Sequence, residues 1–221
     1  MDNKNKNNRT KINRGKNHSV DDKSSIYQII DEGLICHIAF IRDGYPVVLP
    51  TNYARDNDNI IIHGSQKSPF YLAMKLAESI CLSITLLDGL VLAKSAFNHS
   101  VNYRSVIIFG KAVEITDKPE KIYNLKKIID HVIPNRWEGL RAPSERELDE
   151  TMLLSIPIIE YSAKCRAGQP TVSTSDECMN IWSGVLPLSL KAGVPIGDTF
   201  STNSLPAIEL QQYNREQIIG K

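Results

Sequence analysis

Short apolar segments separated by tight turn signals run through the first part of the chain. Segment 34–41 (LICHIAFI) is followed by Asp43-Gly44, segment 46–53 (PVVLPTNY) by Asn57-Asp58-Asn59, and segment 60–63 (IIIH) by Gly64. Such runs are typical of β-strands, and Asp-Gly is a strong hairpin signal. The connections are too short for the crossover that parallel strands need. The sequence therefore predicts an antiparallel meander and disfavours a parallel nucleotide-binding sheet.

The rest of the chain adds further strands and inserted helices. Helices are predicted after residue 21, from Ser68-Pro69 to about residue 79, over 118–132 and after Ser144. Strands are predicted over 80–87, 90–97, 105–115, 152–164 and 181–188, with a turn at Asp88-Gly89. The expected buried stripe of the helix over 118–132 is Ile122, Leu125, Ile128, Ile129 and Val132. The fold class predicted from this order is mostly β with peripheral helices (α+β), arranged as an antiparallel barrel.

Composition and charge narrow the class of protein. The chain has 221 residues, of which 42% are hydrophobic, so it can bury a sizeable core. The formal net charge of +1 gives no global field, and no nucleic-acid partner is expected. No apolar run is long enough for a membrane span, and the N-terminal stretch lacks an apolar leader. The four cysteines show no metal-ligand spacing, which indicates reduced thiols in the cytoplasm and no metal site.

Domain organisation follows from the shifts in composition. Residues 1–19 are rich in Asn and Lys and have little to bury, so we expect a disordered basic tail. Residues 20–190 carry the predicted strands and helices and form one domain. Residues 191–221 are weakly patterned and are predicted to be a C-terminal arm or tail.

The stretch IIIHGSQKSPFY (60–71) joins the third strand to a helix. A helix N-terminus carries unpaired N–H groups and partial positive charge, and it therefore binds phosphate. Gly64 allows close backbone approach, Ser65 and Ser68 offer hydroxyls, and Lys67 adds a full cation. Two interpretations remain open at this stage. Either the segment binds a phosphate, or Ser68-Pro69 only caps a helix and Lys67 is a solvated side chain.

Several short motifs occur in a shared order between about residues 26 and 188. They are Pro50-Thr51-Asn52-Tyr53, His63-Gly64-Ser65 with Lys67-Ser68, segment 88–97 (DGLVLAKSAF), His99-Ser100 with segment 102–106 (NYRSV), Phe109-Gly110-Lys111-Ala112, Pro134 with Arg136-Trp137, Glu160 with Ser162-Ala163-Lys164, Arg166-Ala167-Gly168, and Trp182 with segment 184–188 (GVLPL). In these motifs the chain resembles the FMN-binding split-barrel family related to pyridoxamine 5′-phosphate oxidase, and within it the nitroimidazole-resistance branch. The resemblance implies an antiparallel split β-barrel that works as a homodimer, with FMN in a groove between subunits.

The resemblance also implies which residues hold the cofactor. The phosphate side would be His63, Gly64, Ser65, Lys67 and Ser68, and the flavin ring would lie along Pro50, Thr51, Asn52 and Tyr53. Ser95, His99, Asn102, Arg104, Ser105 and Trp182 would complete the cofactor site. Arg104 is the first choice for a cation beside the reduced flavin, with a second phosphate contact as the alternative. His99 is the candidate catalytic residue, and Lys164 and Arg166 are substrate candidates or a charge pair at a strand end.

For three other residues, a structural role is considered beside a functional one. His37 is expected to be a core histidine, His131 a surface or C-terminal-turn residue, and Trp182 either core or a contact at the flavin edge. Relatives in the nitroimidazole-resistance branch commonly carry histidine where this chain has Asn98. The arginine-rich substrate signature of the true oxidases is not evident, so pyridoxamine phosphate oxidation itself is not assigned.

The leading functional hypothesis is an FMN-dependent oxidoreductase that acts on a small nitro-aromatic or pyridoxamine-like substrate. One alternative is a flavin-binding or sensing module without turnover. Another is a haem-binding protein that uses the same groove, with His99 or His63 as the iron ligand. The sequence does not decide between catalysis and flavin storage.

Overall fold

The computed structural model describes residues 9–201, 210 and 213. The chain divides into two compact units. Unit 1 comprises the described part of Met1–Gly33 with Ser83–Ile107 and Glu160–Leu190. Unit 2 comprises Leu34–Leu82 and Ile108–Ile159 with the described part of Lys191–Lys221. Each unit is built from antiparallel strands and short helices, as the sequence predicts.

Unit 1 contains one helix and a set of paired strands. Helix α1 (Lys23–Glu32) begins at Asp22, whose carboxylate accepts from the Ser25 N–H, and ends at Gly33. The strands are β1 (Ser19–Val20), β6 (Ile80–Leu92), β7 (Ser100–Gly110), β10 (Glu160–Arg166) and β11 (Gly184–Pro187). Their order in the sheet is β1-β10-β7-β6, and β11 pairs with β6. The first three residues of β6 and the last three of β7 belong to unit 2.

Unit 2 contains a hairpin, a second sheet and three helices. Strands β2 (Ile35–Arg42) and β3 (Tyr45–Asn52) form the hairpin, and β4 (Ala54–Asp56), β5 (Asn59–Ser65), β8 (Val113–Ile115) and β9 (Thr151–Pro157) form a four-stranded sheet in the order β4-β5-β9-β8. The helices are α2 (Pro69–Leu76), α3 (Lys118–Val132) and α4 (Glu145–Glu150). One buried cluster joins the sheet to α3 through Ala54, Ile61, Ile115, Ile128 and Leu153.

Local turn and cap predictions are confirmed. Asp43 and Gly44 have φ of 54° and 83°, the left-handed conformation of a two-residue hairpin turn. Ser68 caps α2 with Pro69 in the first turn, and Ser144 and Glu147 form a capping box at α4. His131 lies in the last turn of α3, also as expected.

Several strand predictions are wrong. The third segment of the expected meander, β5, pairs with β4 and β9 instead of the β2–β3 hairpin. Asp88-Gly89 is not a turn, because β6 continues through it and β11 approaches closely, with the Leu186 carbonyl oxygen 3.1 Å from where a Cβ on Gly89 would stand. Segment 152–164 is two strands, β9 and β10, separated after Pro157. No closed barrel is detected among the described residues.

Burial also departs from the sequence patterns at two places. His37, expected in the core, is exposed on β2, because Cys36, Ile38 and Phe40 take the buried face. In α3 the buried residues are Lys121, Asn124 and Ile128, while Ile122 is 38% exposed. The helix is therefore rotated from its apolar stripe, and Lys121 is tolerated inside because its ammonium donates to two carbonyl oxygens, those of Leu148 at 2.9 Å and Thr151 at 2.7 Å.

The two chain ends are described only in part. Arg9 pairs with Glu160, Thr10 is 2% exposed, and a short 3-10 helix over Lys16–His18 precedes β1. These residues belong to the stretch for which the sequence predicts a disordered tail. Residues 1–8 and most of 202–221 lie outside the described residues. No described helix has both the length and the apolar character that crossing a membrane requires.

Candidate functional site

The predicted phosphate segment joins β5 to α2 in unit 2. The Ser65 hydroxyl accepts from the Lys67 N–H at 3.2 Å, and the Ser65 carbonyl accepts from the Ser68 N–H at 2.9 Å. The Ser68 hydroxyl caps α2 through a long 3.5 Å bond from the Tyr71 N–H. The Lys67 ammonium has no partner among the described residues, and the side chain is exposed. The segment therefore presents a helix N-terminus and, beside it, a cation without an ion-pair partner among the described residues.

Any residue larger than glycine at position 64 would force neighbouring atoms to move. A Cβ built on Gly64 would lie 2.5 Å from the ring of Tyr71. The position of that ring is fixed by its hydroxyl, which has two partners. It donates to the His63 carbonyl oxygen and lies 3.3 Å from the Thr51 hydroxyl. Burial raises the pKa of Tyr71, so the phenol stays protonated and keeps donating. Tyr71 lies in the stretch 60–71 that joins β5 to α2, but no motif in the sequence marks it as a site residue.

His63 contributes an unsatisfied buried atom. Its Nδ1 is buried and has no hydrogen-bond partner among the residues that the structure describes. Burial lowers the pKa of His63, because removing water penalises the imidazolium. The ring is therefore neutral near pH 7, and its buried Nδ1 is available to a hydrogen-bond partner.

Long-range bonds hold the segment from the side of β9. The Gln66 N–H donates to the Glu150 carbonyl oxygen at 2.9 Å, and the Gln66 side chain donates to Glu114 at 2.9 Å. Glu114 also pairs with Lys75 of α2, and this ion pair lowers the pKa of Glu114. The segment is thus fixed to β8 and to the last residue of α4 within unit 2, and Glu114 links it to α2.

The residues predicted along the flavin ring divide between two faces of β3. Pro50 and Asn52 lie on the face shared with His37 and Ile35, while Thr51 faces Cys36 and Tyr71. Tyr53 follows the strand and is fully buried, with its ring 5.2 Å from that of His131. The side chain of Tyr53 is therefore part of the core, and only its backbone remains for a ligand.

In unit 1 the structure brings Ser95 and His99 together. They flank the 3-10 turn Ala96–Asn98, and His99 Nδ1 lies 2.9 Å from the Ser95 carbonyl oxygen. A carbonyl oxygen only accepts, so Nδ1 is the donor in this contact, and Nε2 is the ring nitrogen that remains for another partner. His99 is exposed, and so is the neighbouring Phe97, at 96%. This turn presents a basic imidazole nitrogen beside an exposed aromatic ring.

The contacts of Arg104 do not support its predicted role as a cation beside the flavin. Its guanidinium binds Asp88 at 3.0 and 2.7 Å and also binds Glu32, at 2.7 Å for one of two bonds. Hydrogen bonds to Glu32 and then to Asp88 raise the pKa of Arg104. With two carboxylates for one guanidinium, the cluster carries a net negative charge, which disfavours an adjacent anion. Glu32 lies in no sequence motif, and Asp88 opens the family motif 88–97 but is not among the predicted site residues.

The remaining predicted residues of unit 1 have these placements. Asn102 is 9% exposed and bonds Arg166 and the Gly168 carbonyl oxygen. Lys164 donates to the Arg14 carbonyl oxygen at 3.3 Å. Ser105 is half-buried in β7. Trp182 is 68% exposed and covers Gly184, so it is not a core residue.

Comparisons with known proteins identify the family. The family model described as pyridoxamine 5′-phosphate oxidase matches residues 22–165, so the chain belongs to this family, as the resemblance implied. The flavocytochrome Anf3 from Azotobacter vinelandii is similar at a TM-score of 0.87 and 32% identity, over 94% of this chain and 97% of that chain. No curated protein matches.

Two further solved structures are similar. The FAD and haem binding protein from Mycobacterium smegmatis has a TM-score of 0.83 and 30% identity, over 88% of this chain and 96% of that chain. A candidate 5-nitroimidazole antibiotic resistance protein from Bacteroides thetaiotaomicron has a TM-score of 0.57 and 22% identity, over 66% and 85%. The second likeness concerns the fold alone.

Proposed function

We propose that this chain is a flavin-binding redox protein, an oxidoreductase that exchanges electrons with a small substrate. The observation that carries the proposal is the segment from His63 to Ser68, where a helix N-terminus, an uncommitted ammonium and a buried unpaired imidazole nitrogen lie together. The names of two similar proteins, a flavocytochrome and an FAD and haem binding protein, support it. In the cytoplasm, a bound flavin would supply one- and two-electron transfer.

The residues of the segment fit the ribityl phosphate of FMN. The N–H groups at the start of α2 and the Lys67 ammonium would bind the phosphate oxygens. Gly64 would let the phosphate approach the backbone, since a side chain there meets Tyr71. FAD carries the same phosphate with an adenylate attached, so this segment accepts either nucleotide, and FMN is the one we propose.

The test is the flavin content and affinity of the purified protein. We expect a yellow protein that releases FMN on denaturation and binds riboflavin much more weakly. Lys67→Ala should lose about 1.5–3 kcal/mol of FMN binding energy, the range for a hydrogen bond to a charged group, or roughly 10- to 150-fold in affinity. Lys111→Ala is the control, because that ammonium pairs with Glu78 at 3.5 Å. If the protein released FAD, the bound nucleotide would be FAD and the proposed site would stand. If FMN and riboflavin bound with equal affinity, the segment would not be a phosphate site.

A haem is the second candidate group, and His99 favours it. A histidine that ligates iron commonly donates its other ring N–H to a carbonyl oxygen. The Ser95 carbonyl oxygen already accepts the hydrogen bond from Nδ1. Nε2 is therefore the ring nitrogen that could ligate iron. A Soret band that disappears in His99→Ala while the flavin spectrum remains would support this ligand. A Soret band that survives in His99→Ala but is lost in His63→Ala would reassign it to His63.

We also propose that the protein is a homodimer. The outer face of the β2–β3 hairpin is apolar and exposed, with Ile35 at 53%, Ile41 at 62% and Val48 at 59%. An exposed apolar face of this kind is typical of an interface. Light scattering at low micromolar concentration should give twice the subunit mass of 24.8 kDa. Ile41→Lys should shift the protein to the monomer, and a wild-type monomer would contradict the proposal.

A further inference from the structure

Lys164 and Arg166 place two cations on one face of β10. Residues two apart in a strand point to the same side, while the intervening residues point to the other. The Lys164 ammonium donates to the Arg14 carbonyl oxygen, and the Arg166 guanidinium donates to the Asn102 side-chain oxygen. In the described part of the chain neither cation has a carboxylate partner. Both residues are half-buried, and among the described residues each cation bonds a neutral oxygen and no carboxylate, so neither charge is offset.

Asn102 fixes the guanidinium in place. It is 9% exposed, its oxygen accepts from Arg166, and its amide nitrogen donates to the Gly168 carbonyl oxygen at 3.2 Å. Both ends of the amide are therefore used, and the side chain has one orientation. A guanidinium has five N–H donors, of which Asn102 takes one. Arg166 is held in position with most of its donors still available.

Arg104 is the internal comparison. It lies on β7, two residues from Asn102, and its guanidinium is neutralised by Glu32 and Asp88. Within the described part of the chain Arg166 binds a neutral amide and no carboxylate, so its charge is not offset there. A planar guanidinium favours the paired oxygens of a carboxylate or phosphate, and a nearby ammonium adds to the attraction.

We propose that Lys164 and Arg166 form a binding site for a small carboxylate or phosphate group, with Asn102 as its positioning residue. The site uses none of the residues from His63 to Ser68 and does not depend on the identity of the flavin. It gives the protein a preference for anionic substrates or effectors. Phosphate and carboxylate share the required chemistry, and separate titrations distinguish them.

The experiment measures thermal unfolding of the full chain in sodium phosphate, sodium succinate and sodium chloride at matched ionic strength. Because phosphate could also occupy the segment from His63 to Ser68, every variant is compared in the Lys67→Ala background. We expect phosphate or succinate to raise the unfolding temperature above that in chloride. Arg166→Gln should weaken the apparent anion affinity at least tenfold, and Arg166→Lys should recover part of it.

Two variants separate binding from folding. Lys164→Gln removes an ammonium that makes a single bond, so it should fold and lose a smaller part of the anion affinity. Arg146→Gln is the control, since that exposed guanidinium pairs with Glu150 and should leave the titration unchanged. Equal stabilisation of the Lys67→Ala parent and of the Arg166→Gln and Lys164→Gln variants made in it would overturn the proposal. So would the absence of any response beyond that to chloride.

Discussion

Lys121 donates from its buried ammonium to the carbonyl oxygen of Thr151, 30 residues away, at 2.7 Å. The same ammonium donates to Leu148 at 2.9 Å, where α4 ends and β9 begins. This link sets the position of Thr151, which pairs with Ser65 within the proposed phosphate segment. A buried cation in α3 thus supports the segment through β9.

Replacing Lys121 by methionine should destabilise the protein. The shape is nearly kept, but the carbonyl oxygens of Leu148 and Thr151 each lose the hydrogen bond from the ammonium, which costs about 2–4 kcal/mol in the free energy of unfolding. Urea unfolding followed by circular dichroism measures the change. Lys127→Met, on the same helix but 43% exposed, is the control and should change little. An unchanged midpoint in Lys121→Met would mean that water replaces the lost bonds.

Gly64→Ala should disturb the segment without adding charge. The new Cβ meets a tyrosine ring that is held by His63 and Thr51, so the ring or the strand must move. We expect a loss of about 1–3 kcal/mol in stability, the usual cost of overpacking, together with weaker flavin binding. Gly193→Ala is the matched control, because no atom lies within 4 Å of that Cβ position. If Gly64→Ala were as stable as Gly193→Ala, Tyr71 would be free to rotate away.

The capping box at α4 predicts a pH dependence. The hydrogen bond from Arg141, with others from Ser144, lowers the pKa of Glu147 from 4.5 to about 2. A carboxyl with a lowered folded-state pKa stabilises the fold above its unfolded pKa and loses this effect as pH falls toward the folded pKa. Glu147→Gln should therefore melt below wild type at pH 7, and the difference should shrink between about pH 4.5 and pH 2. Melting curves across that range test this, and a constant difference would contradict it.

The four cysteines should react with thiol reagents at very different rates. All four are free thiols, as predicted, but Cys36 is buried and Cys178 is exposed. Burial raises the pKa of Cys36 to about 12, so almost no thiolate exists at neutral pH. In native protein a disulfide reagent should modify Cys178 first and Cys36 only after unfolding. Mass spectrometry of the timed reaction identifies the residues, and early labelling of Cys36 would indicate local opening of β2.

Features whose causes lie within a few residues can be predicted from the amino-acid sequence. The left-handed turn at Asp43-Gly44, the Ser68-Pro69 cap and the Ser144 capping box depend on side chains that bond or bend their own backbone. The family resemblance was readable for a similar reason, since its motifs are short and kept in order. The segment from His63 to Ser68 was found because a glycine, two hydroxyls and a lysine cluster before a helix.

Features that depend on partners distant in the chain become visible only in the folded protein. Arg104 has its charge neutralised by Glu32, 72 residues away, and no local pattern marks that pairing. Gly89 looks like a turn in sequence, but β11 lies against it and β6 continues as a strand. From the sequence, Lys121 would be expected in solvent. It is buried because the carbonyl oxygens of Leu148 and Thr151, at the end of α4, accept hydrogen bonds from its ammonium. In each of these three cases the stabilising contact is partly or fully removed from water, and it forms only when the chain has folded.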